Sequence, residues 1–376
     1  MSKPRGILVL PQTYPPDVGG VETHLADLTE AFQRHPEWTV WIAAFKPIVT
    51  DVPSYRRTER QGNVSIRRFW WIGGNLFRKL EPYPPLMALY IIPYFAFRLF
   101  FFMLPRLRKI DVIHVHGINM AMIGLCFARL FRKRIVFQSH ALYSFQAGSL
   151  FTRVVARLLR RMDAVATLCH ASRDEIVALG VPSDRVSVYR YWIDLQRFCP
   201  PTPPAERTLA TILFVGRLIG IKGEGIVVEL ARRFPRLRFK VIGTGPNQPV
   251  VEAAAKECPN LTFVGMVPNS QLQEHYRAAD LLLVPSQYPE GFGRVIAEAL
   301  ACWTPVVASN VGGIPDAMDA TVGILCDTSA DAFAQALQRL LDSPGHYARL
   351  RANARPYAER QFSDANAGAI FAMLMD

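Results

Sequence analysis

The chain has 376 residues, half of them apolar and 20% charged. That balance excludes a disordered or collagen-like polymer, and at roughly 100 to 200 residues per domain the length suffices for two domains with separate cores. The net charge of +12 is one-sided, because residues 1 to 200 carry 27 Lys and Arg against 14 Asp and Glu, while residues 201 to 376 carry 16 against 17.

A basic field confined to one half suits an anionic surface such as lipid headgroups, or a phosphorylated small molecule. Nucleic acid would use the same charge, yet no recognisable reading element or aromatic-basic platform accompanies it, so no nucleic-acid partner is expected. The six cysteines (Cys126, Cys169, Cys199, Cys258, Cys302, Cys326) form no Cys-x-x-Cys pair, against a disulfide scaffold or zinc ribbon and in keeping with a reducing compartment. Met1-Ser2-Lys3-Pro4-Arg5 leads directly into Ile7 to Leu10, too brief for the apolar core of a signal peptide, and a cytoplasmic location is expected.

In chain order, short β-rich runs alternate with helical patterns. Ile7 to Leu10 is followed by an amphipathic stretch from Val21 to Gln33, then by Thr39 to Ala44, Val112 to His116, Arg134 to Gln138, Ala164 to Thr167 and Val186 to Tyr189. This alternation predicts parallel sheets with helical crossovers. The proline-rich stretch from Cys199 to Pro204 interrupts it, since proline supplies no amide to a sheet. The rhythm then restarts with Thr211 to Val215, Phe239 to Ile242, Leu261 to Val264, Leu281 to Val284 and Pro305 to Ala308. The expectation is an α/β protein of two doubly wound, Rossmann-like domains: residues 1–199, a linker at 200–208, residues 209–346, and a helical segment 347–376 packing back on the first domain. Ligands of such sheets bind beyond the carboxyl ends of the strands.

One segment departs from a soluble pattern. Residues 86 to 104 read LMALYIIPYFAFRLFFFML, with Arg98 as the sole charge, inside a basic segment 78–109 that carries Arg78 and Lys79 before and Arg106, Arg108 and Lys109 after. A membrane span would place Arg98 near hydrocarbon at a cost of about 2.5 to 3.5 kcal/mol and would have to tolerate Pro93. A buried crossover helix explains the apolar residues alone. A helix or helical hairpin lying in a lipid interface, with basic flanks on the headgroups, explains apolar residues and charge together and is the reading adopted.

The strongest local motif is Glu290 to Leu300, EGFGRVIAEAL, after the run Leu281 to Val284. Gly291 and Gly293 let backbone amides approach a ligand, and the helix opening near Arg294 aims its N-terminal dipole at phosphate. Glu290 and Glu298 can accept hydrogen bonds from sugar hydroxyls. Phe214-Val215-Gly216-Arg217-Leu218, followed by Lys222-Gly223, supplies a guanidinium fork and an ammonium charge for a diphosphate. Gly243-Thr244-Gly245-Pro246 is a further loop suited to a nucleotide. In the first half Gly19-Gly20 stands between a strand and a helix, where amides can meet phosphate. His114, His116 and His140 fall at or near strand ends. His114 and His116 are expected on opposite faces of their strand, unable to share one ion, so that His116 or His140 serves singly and no metal is expected.

Together, Gly19-Gly20-Val21-Glu22, Asp111 to Gly117, Phe214 to Gly223, Glu290 to Leu300 and Val311-Gly312-Gly313-Ile314-Pro315-Asp316 resemble, in order, the motif set of the retaining nucleotide-sugar glycosyltransferases of family 4 with the GT-B fold. The resemblance spans nearly the whole chain. It implies that Arg217 and Lys222 hold the donor diphosphate and Glu298 the ribose. Glu290 with the amides of Phe292 and Gly293 addresses the sugar, and His116 sits at the reaction centre. Gly19, Gly20, Gly216, Gly243, Gly245 and Gly291 complete the donor side, and His140 stands on the acceptor side.

Further implications of the resemblance are a cleft between the domains, an acceptor held by the first domain, and a final helix returning to that domain. Tyr191-Trp192-Ile193-Asp194 stands where the family commonly has Asn-Gly-Val-Asp, and Leu218-Ile219-Gly220-Ile221 replaces a more polar spacer. No Asp-x-Asp pair occurs to hold a divalent ion on a diphosphate. The expected activity is metal-independent, retaining hexosyl transfer from a nucleotide sugar to a lipid or lipid-linked acceptor, without a cofactor, at the inner face of a membrane. Transfer to a soluble acceptor and epimerisation of the nucleotide sugar are the alternatives. The sequence does not specify an oligomeric state.

Overall fold

The computed structural model describes residues 5–17, 19–47, 54–70, 79–80, 82–200 and 207–375. The chain divides into two compact units, the first made of Met1–Leu168, Ser172–Tyr189 and Asn366–Asp376, the second of Cys169–Ala171 and Arg190–Ala365.

Unit 1 carries strands β1 (Gly6–Leu10), β2 (Thr39–Phe45), β3 (Thr58–Gln61), β4 (Val64–Phe69), β5 (Val112–His116), β6 (Arg134–Gln138), β7 (Ala164–Thr167) and β8 (Val186–Val188). Among the described residues they form one sheet in the order β3-β4-β2-β1-β5-β6-β7-β8. All pairings are parallel except the β3-β4 hairpin, which turns at Gly62 with φ 58°. The helices between them are α1 (Gly20–Gln33), α2 (Pro84–Met103), α3 (Ile118–Phe131), α4 (Leu150–Leu159) and α5 (His170–Ala178). Strands such as ILVL and VIHV are buried on both faces, which is why they read as continuous apolar runs.

The steps from β4 to β5, β5 to β6 and β6 to β7 all run in one direction through the sheet, and right-handed crossovers therefore place α2, α3 and α4 on one face. Phe95 of α2 packs on Phe45 and Phe69 with ring centroids 4.7 and 5.4 Å apart, and Phe100 meets Phe131 of α3 at 6.4 Å. The step from β1 to β2 is opposite in direction and puts α1 on the other face.

In α2 the residues Met87, Ile91, Phe95, Leu99 and Met103 recur every fourth position and are buried in the core of unit 1. A helix surrounded by lipid could not make that packing, although residues Pro85–Arg106 are long and apolar enough to cross a membrane. The segment is a single helix through Pro93, with one side in the core and an apolar outer side. Neither the buried-crossover nor the hairpin expectation describes it fully. Arg78, expected as a flanking charge, lies outside the described residues.

Unit 2 carries β9 (Thr211–Val215), β10 (Arg238–Ile242), β11 (Leu261–Gly265), β12 (Leu281–Val284), β13 (Val306–Ser309) and β14 (Gly323–Cys326) in the order β11-β10-β9-β12-β13-β14, all parallel. This is a doubly wound sheet whose strand order reverses between β9 and β12. Its helices are α6 (Glu224–Arg233), α7 (Gln248–Glu257), α8 (Leu272–Ala278), α9 (Arg294–Ala301), α10 (Ile314–Ala317), α11 (Ala330–Asp342) and α12 (Pro344–Gln361). The last helix, α13 (Ala367–Met375), belongs to unit 1, where Phe371 lies 5.5 Å from Phe32 and 4.9 Å from Trp38, and Arg5 and Arg134 donate to the carbonyls of Leu374 and Met373.

The boundaries depart from the expected ones. Helix α12 packs on α9 and stays in unit 2, so the return to unit 1 is confined to Asn366–Asp376 instead of 347–376. The main stretch of unit 2 begins at Arg190, ahead of the prolines. The segment before them is held there: the Ile193 amide donates to the Phe362 carbonyl at 3.1 Å, Arg277 Nε to the Cys199 carbonyl at 2.6 Å, and Arg355 to those of Phe198 and Leu195. Residues 201–206 of the expected linker lie outside the described residues.

Candidate active site

In unit 2 the predicted donor residues gather at the carboxyl ends of β9, β10 and β12, around the reversal of strand order. The loop after β9 is braced from beneath: buried Glu224 accepts from the Gly220 amide at 2.5 Å and from Asn247 Nδ2 at 2.8 Å. Gly223, φ 82°, opens α6 against the end of β12, where an added Cβ would lie 1.9 Å from the Pro285 carbonyl oxygen. Gly243, φ 143°, touches the preceding loop as closely, since a Cβ there would meet the Gly216 oxygen at 1.8 Å. Glycine is therefore needed at 243, and a Cβ on Gly245 would strike the Leu218 oxygen at 2.2 Å.

This bracing positions the cations. Arg217 is exposed and makes no ion pair among the described residues. Lys222 Nζ lies 2.8 Å from Glu290 Oε1, with the two side chains 30% and 13% exposed. Ser286 Oγ donates to the same carboxylate oxygen. Lys222 and Glu290, separated by 68 positions in sequence, thus form one polar cluster beside the turn that starts α9.

That turn is held by the Val311-Gly312-Gly313 loop. The Gly313 amide donates to the Glu290 carbonyl at 2.7 Å, and a Cβ on Gly312 or Gly313 would strike the Glu290 or Gly291 oxygen. Gly293, φ 78°, precedes the first residue of α9 and leaves the helix N-terminus without a side-chain cap, as an anion site requires. The Phe292 ring is buried and meets Tyr191 edge-on at 5.3 Å and Phe362 at 5.7 Å. Tyr191, where the family commonly has Asn, thus supports the ring below the glycines.

Glu298 faces inward. It is 2% exposed, accepts from Arg294 Nε at 3.1 Å and from the Tyr276 hydroxyl at 2.9 Å, and with burial it pushes the Tyr276 pKa well above its ordinary value. The resemblance implies a ribose contact for Glu298, and the structure engages both its oxygens within the unit.

In unit 1 the strand order reverses between β1 and β5, and His116 ends β5 at that place. The expectation that His114 and His116 diverge is wrong. Residues two apart on a strand share a face, and the ring centroids are 4.3 Å apart. His116 Nδ1 is 2.8 Å from His140 Nε2, and His140 Nδ1 is 3.5 Å from the Tyr189 hydroxyl. His24 of α1 completes the cluster, 5.4 Å from the His140 ring and 2.8 Å by its Nε2 from Gln138 Nε2.

Burial holds His116 well below the ordinary histidine pKa and lowers His114 and His140 to about 3. All three are neutral near pH 7. Within the His116–His140 pair one ring donates N–H to the other. Gly19 and Gly20 begin α1 as expected. Gly20 is exposed, and the space a Cβ would take beside it is open.

Sequence reasoning missed His24, Gln138, Tyr189, Glu224 and Asn247. The signal for Gln138 and Tyr189 was their place at the carboxyl ends of β6 and β8. His24 lies one helical turn beyond Gly20. Among the described residues no three His, Cys, Asp or Glu converge as metal ligands.

Comparison with known proteins agrees with this arrangement. A family model described as Glycosyltransferase Family 4 matches residues 18–197, and one described as Glycosyl transferases group 1 matches residues 201–357. The chain is 31% identical over 295 residues to a D-inositol 3-phosphate glycosyltransferase of Xylanimonas cellulosilytica, covering 69% of this chain and 70% of that one. It is 25% identical to a phosphatidylinositol N-acetylglucosaminyltransferase chain from Arabidopsis thaliana, covering 89% and 74%. The solved structure of HepE from Anabaena in complex with UDP superposes with a TM-score of 0.76 at 18% identity, over 98% of this chain and 99% of that one. The ordered motifs, the two doubly wound units and these relatives agree: the chain belongs to glycosyltransferase family 4, has the GT-B fold, and is a glycosyltransferase.

Proposed function

We propose that this glycosyltransferase moves a hexosyl group, with retention at the anomeric carbon and without a metal ion, from a nucleotide-diphosphate sugar to a hydroxyl of a lipid or lipid-linked acceptor. The observation that carries the donor part is the Lys222–Glu290 pair beside an uncapped helix N-terminus, with Arg217 exposed on the loop after β9 that also carries Lys222. A diphosphate entering there competes with Glu290 for the ammonium and gains the amides that begin α9. Arg217, Lys222 and those amides then act where negative charge develops as the sugar–phosphate bond breaks, which is stabilisation worth about 3 to 4 kcal/mol per donor. Glu290, released from Lys222, accepts from sugar hydroxyls. Since a carboxylate offers about four lone-pair sites, Glu298 retains acceptor capacity for a ribose beyond Arg294 and Tyr276.

Retention follows if the incoming hydroxyl approaches beside the departing phosphate, which then takes its proton. Glu290 keeps its hydrogen bond from Ser286 and serves as a hydroxyl acceptor, a role that forms no covalent bond to the sugar. His116 and His140 meet substrate as neutral imidazoles, suited to sugar hydroxyls. The UDP in the HepE complex and the phosphatidylinositol in the name of the plant relative support a nucleotide-sugar donor and a lipid acceptor respectively. With such an acceptor the enzyme works at the inner face of a membrane.

The experiment is a thermal-shift panel of nucleotide sugars followed by transfer to lipid extracts with and without a chelator. A donor at 100 times its dissociation constant should add about 2.7 kcal/mol of stability. Transfer should survive chelation and give a product of unchanged anomeric configuration. Silence of every donor, loss of transfer with the chelator, or an inverted product would each remove the corresponding part of the proposal.

A further inference from the structure

Unit 1 leaves an unusual set of apolar side chains in solvent. On α2 the side opposite the buried stripe presents Leu89, Phe97 and Phe101 at 71%, 61% and 57% exposure. Leu130 of α3 is 66% exposed, and Leu150 and Phe151 at the start of α4 are 77% and 51% exposed. By the crossover argument these three helices cover the same face of the sheet, with α3 in contact with both α2 and α4. Their outer sides therefore form one layer. The apolar residues of α4 are a second element that the reading of residues 86–104 did not include.

The charge of this stretch is equally one-sided. Residues 82 to 162 contain twelve Lys and Arg and a single acid, Asp111, whose carboxylate accepts from the Gly6 amide. Arg153 and Arg157 are exposed on α4 beside its apolar first turn. Arg106 lies over the Phe102 ring at 4.0 Å, a guanidinium just past the end of α2. Apolar residues bordered by cations, with no acid among them, match a bilayer of anionic lipid: side chains enter the headgroup and acyl boundary while arginines meet the phosphates. Nucleic acid would match the charge but leave the apolar area unmatched.

We infer that the outer layer of α2, α3 and α4 is a membrane-docking surface for anionic phospholipid, with the α2 outer side and the first turn of α4 as two separate insertion elements. The inference rests on the lipid-acceptor reading and gives that reading its partner surface. It places the enzyme on the membrane by one face of unit 1.

The test is co-sedimentation of the full chain with phosphatidylcholine vesicles, with and without phosphatidylglycerol. It is repeated for Phe97→Ser/Phe101→Ser, for Leu150→Ser/Phe151→Ser and for Arg153→Glu/Arg157→Glu. The wild type should partition onto anionic vesicles at least about tenfold more than onto neutral ones, and each double variant should lose at least about tenfold. Melting temperature and the nucleotide-sugar thermal shift should not change, which separates lost docking from lost folding. The inference is overturned if the wild type stays in solution with both vesicles, if partition is equal on the two, if either serine variant partitions like the wild type, or if the layer instead pairs two copies of the chain without lipid. Vesicle binding with a silent donor panel would uphold the docking surface while removing the donor proposal. Silent vesicles with a responsive panel would do the reverse.

Discussion

Lys222 and Glu290 each lie in a motif that reads as chemistry, but only the fold brings the ammonium and carboxylate to 2.8 Å. Lys222→Ala should lower turnover by about 10²- to 10³-fold and weaken the donor, with little change in melting, because it removes a charge poised for the diphosphate. Steady-state kinetics and a melting curve check both halves. Gly243→Ala should cost roughly 1 to 3 kcal/mol or prevent folding, since its Cβ would meet a backbone oxygen that cannot yield. Denaturant unfolding measures it.

The histidines titrate in a definite direction. A histidine whose folded pKa is about 3 against an ordinary 6.5 binds fewer protons folded than unfolded between those values. Its stabilising contribution is complete above pH 6.5 and is lost as pH falls toward 3. The slope is up to about 1.4 kcal/mol per pH unit for each such group. Melting temperature measured across that window should fall on acidification, and less steeply for His114→Asn.

Among the elements, α2 shows how one composition serves two surroundings. Its apolar residues run all round, so the hydrophobic pattern cannot say which side meets the sheet. The structure assigns Phe95 to the core and Phe97 to solvent. Phe95→Ala should therefore cost about 3 to 5 kcal/mol, as an aromatic cavity does, and Phe97→Ala about 0.5 kcal/mol or less. Paired unfolding curves distinguish them. The β3-β4 hairpin and β14 went unread, since TERQ carries no apolar run and GILC is short enough to pass for a loop.

For the whole molecule, a nucleotide sugar should protect the loops at 216–223, 243–247 and 290–293 from hydrogen exchange, because those are the backbones gathered at the strand reversal of unit 2. Mass-spectrometric exchange with and without donor reads this directly. Uniform protection of the chain would contradict a donor site built on these loops.

The sequence by itself determined the alternation of strands and helices, the two doubly wound units and the ordered glycine and charge motifs. These depend on local preferences: apolar runs, glycines where backbones must touch, and a helix start after a strand. Only the tertiary structure decided which charged groups pair, that Glu298 faces Arg294 and Tyr276, that four histidines cluster, and that α12 stays with unit 2 while α13 leaves it. Each of those depends on distances between residues far apart in the chain, and such distances are set by the packing of whole elements, for which no local pattern in the sequence is sufficient.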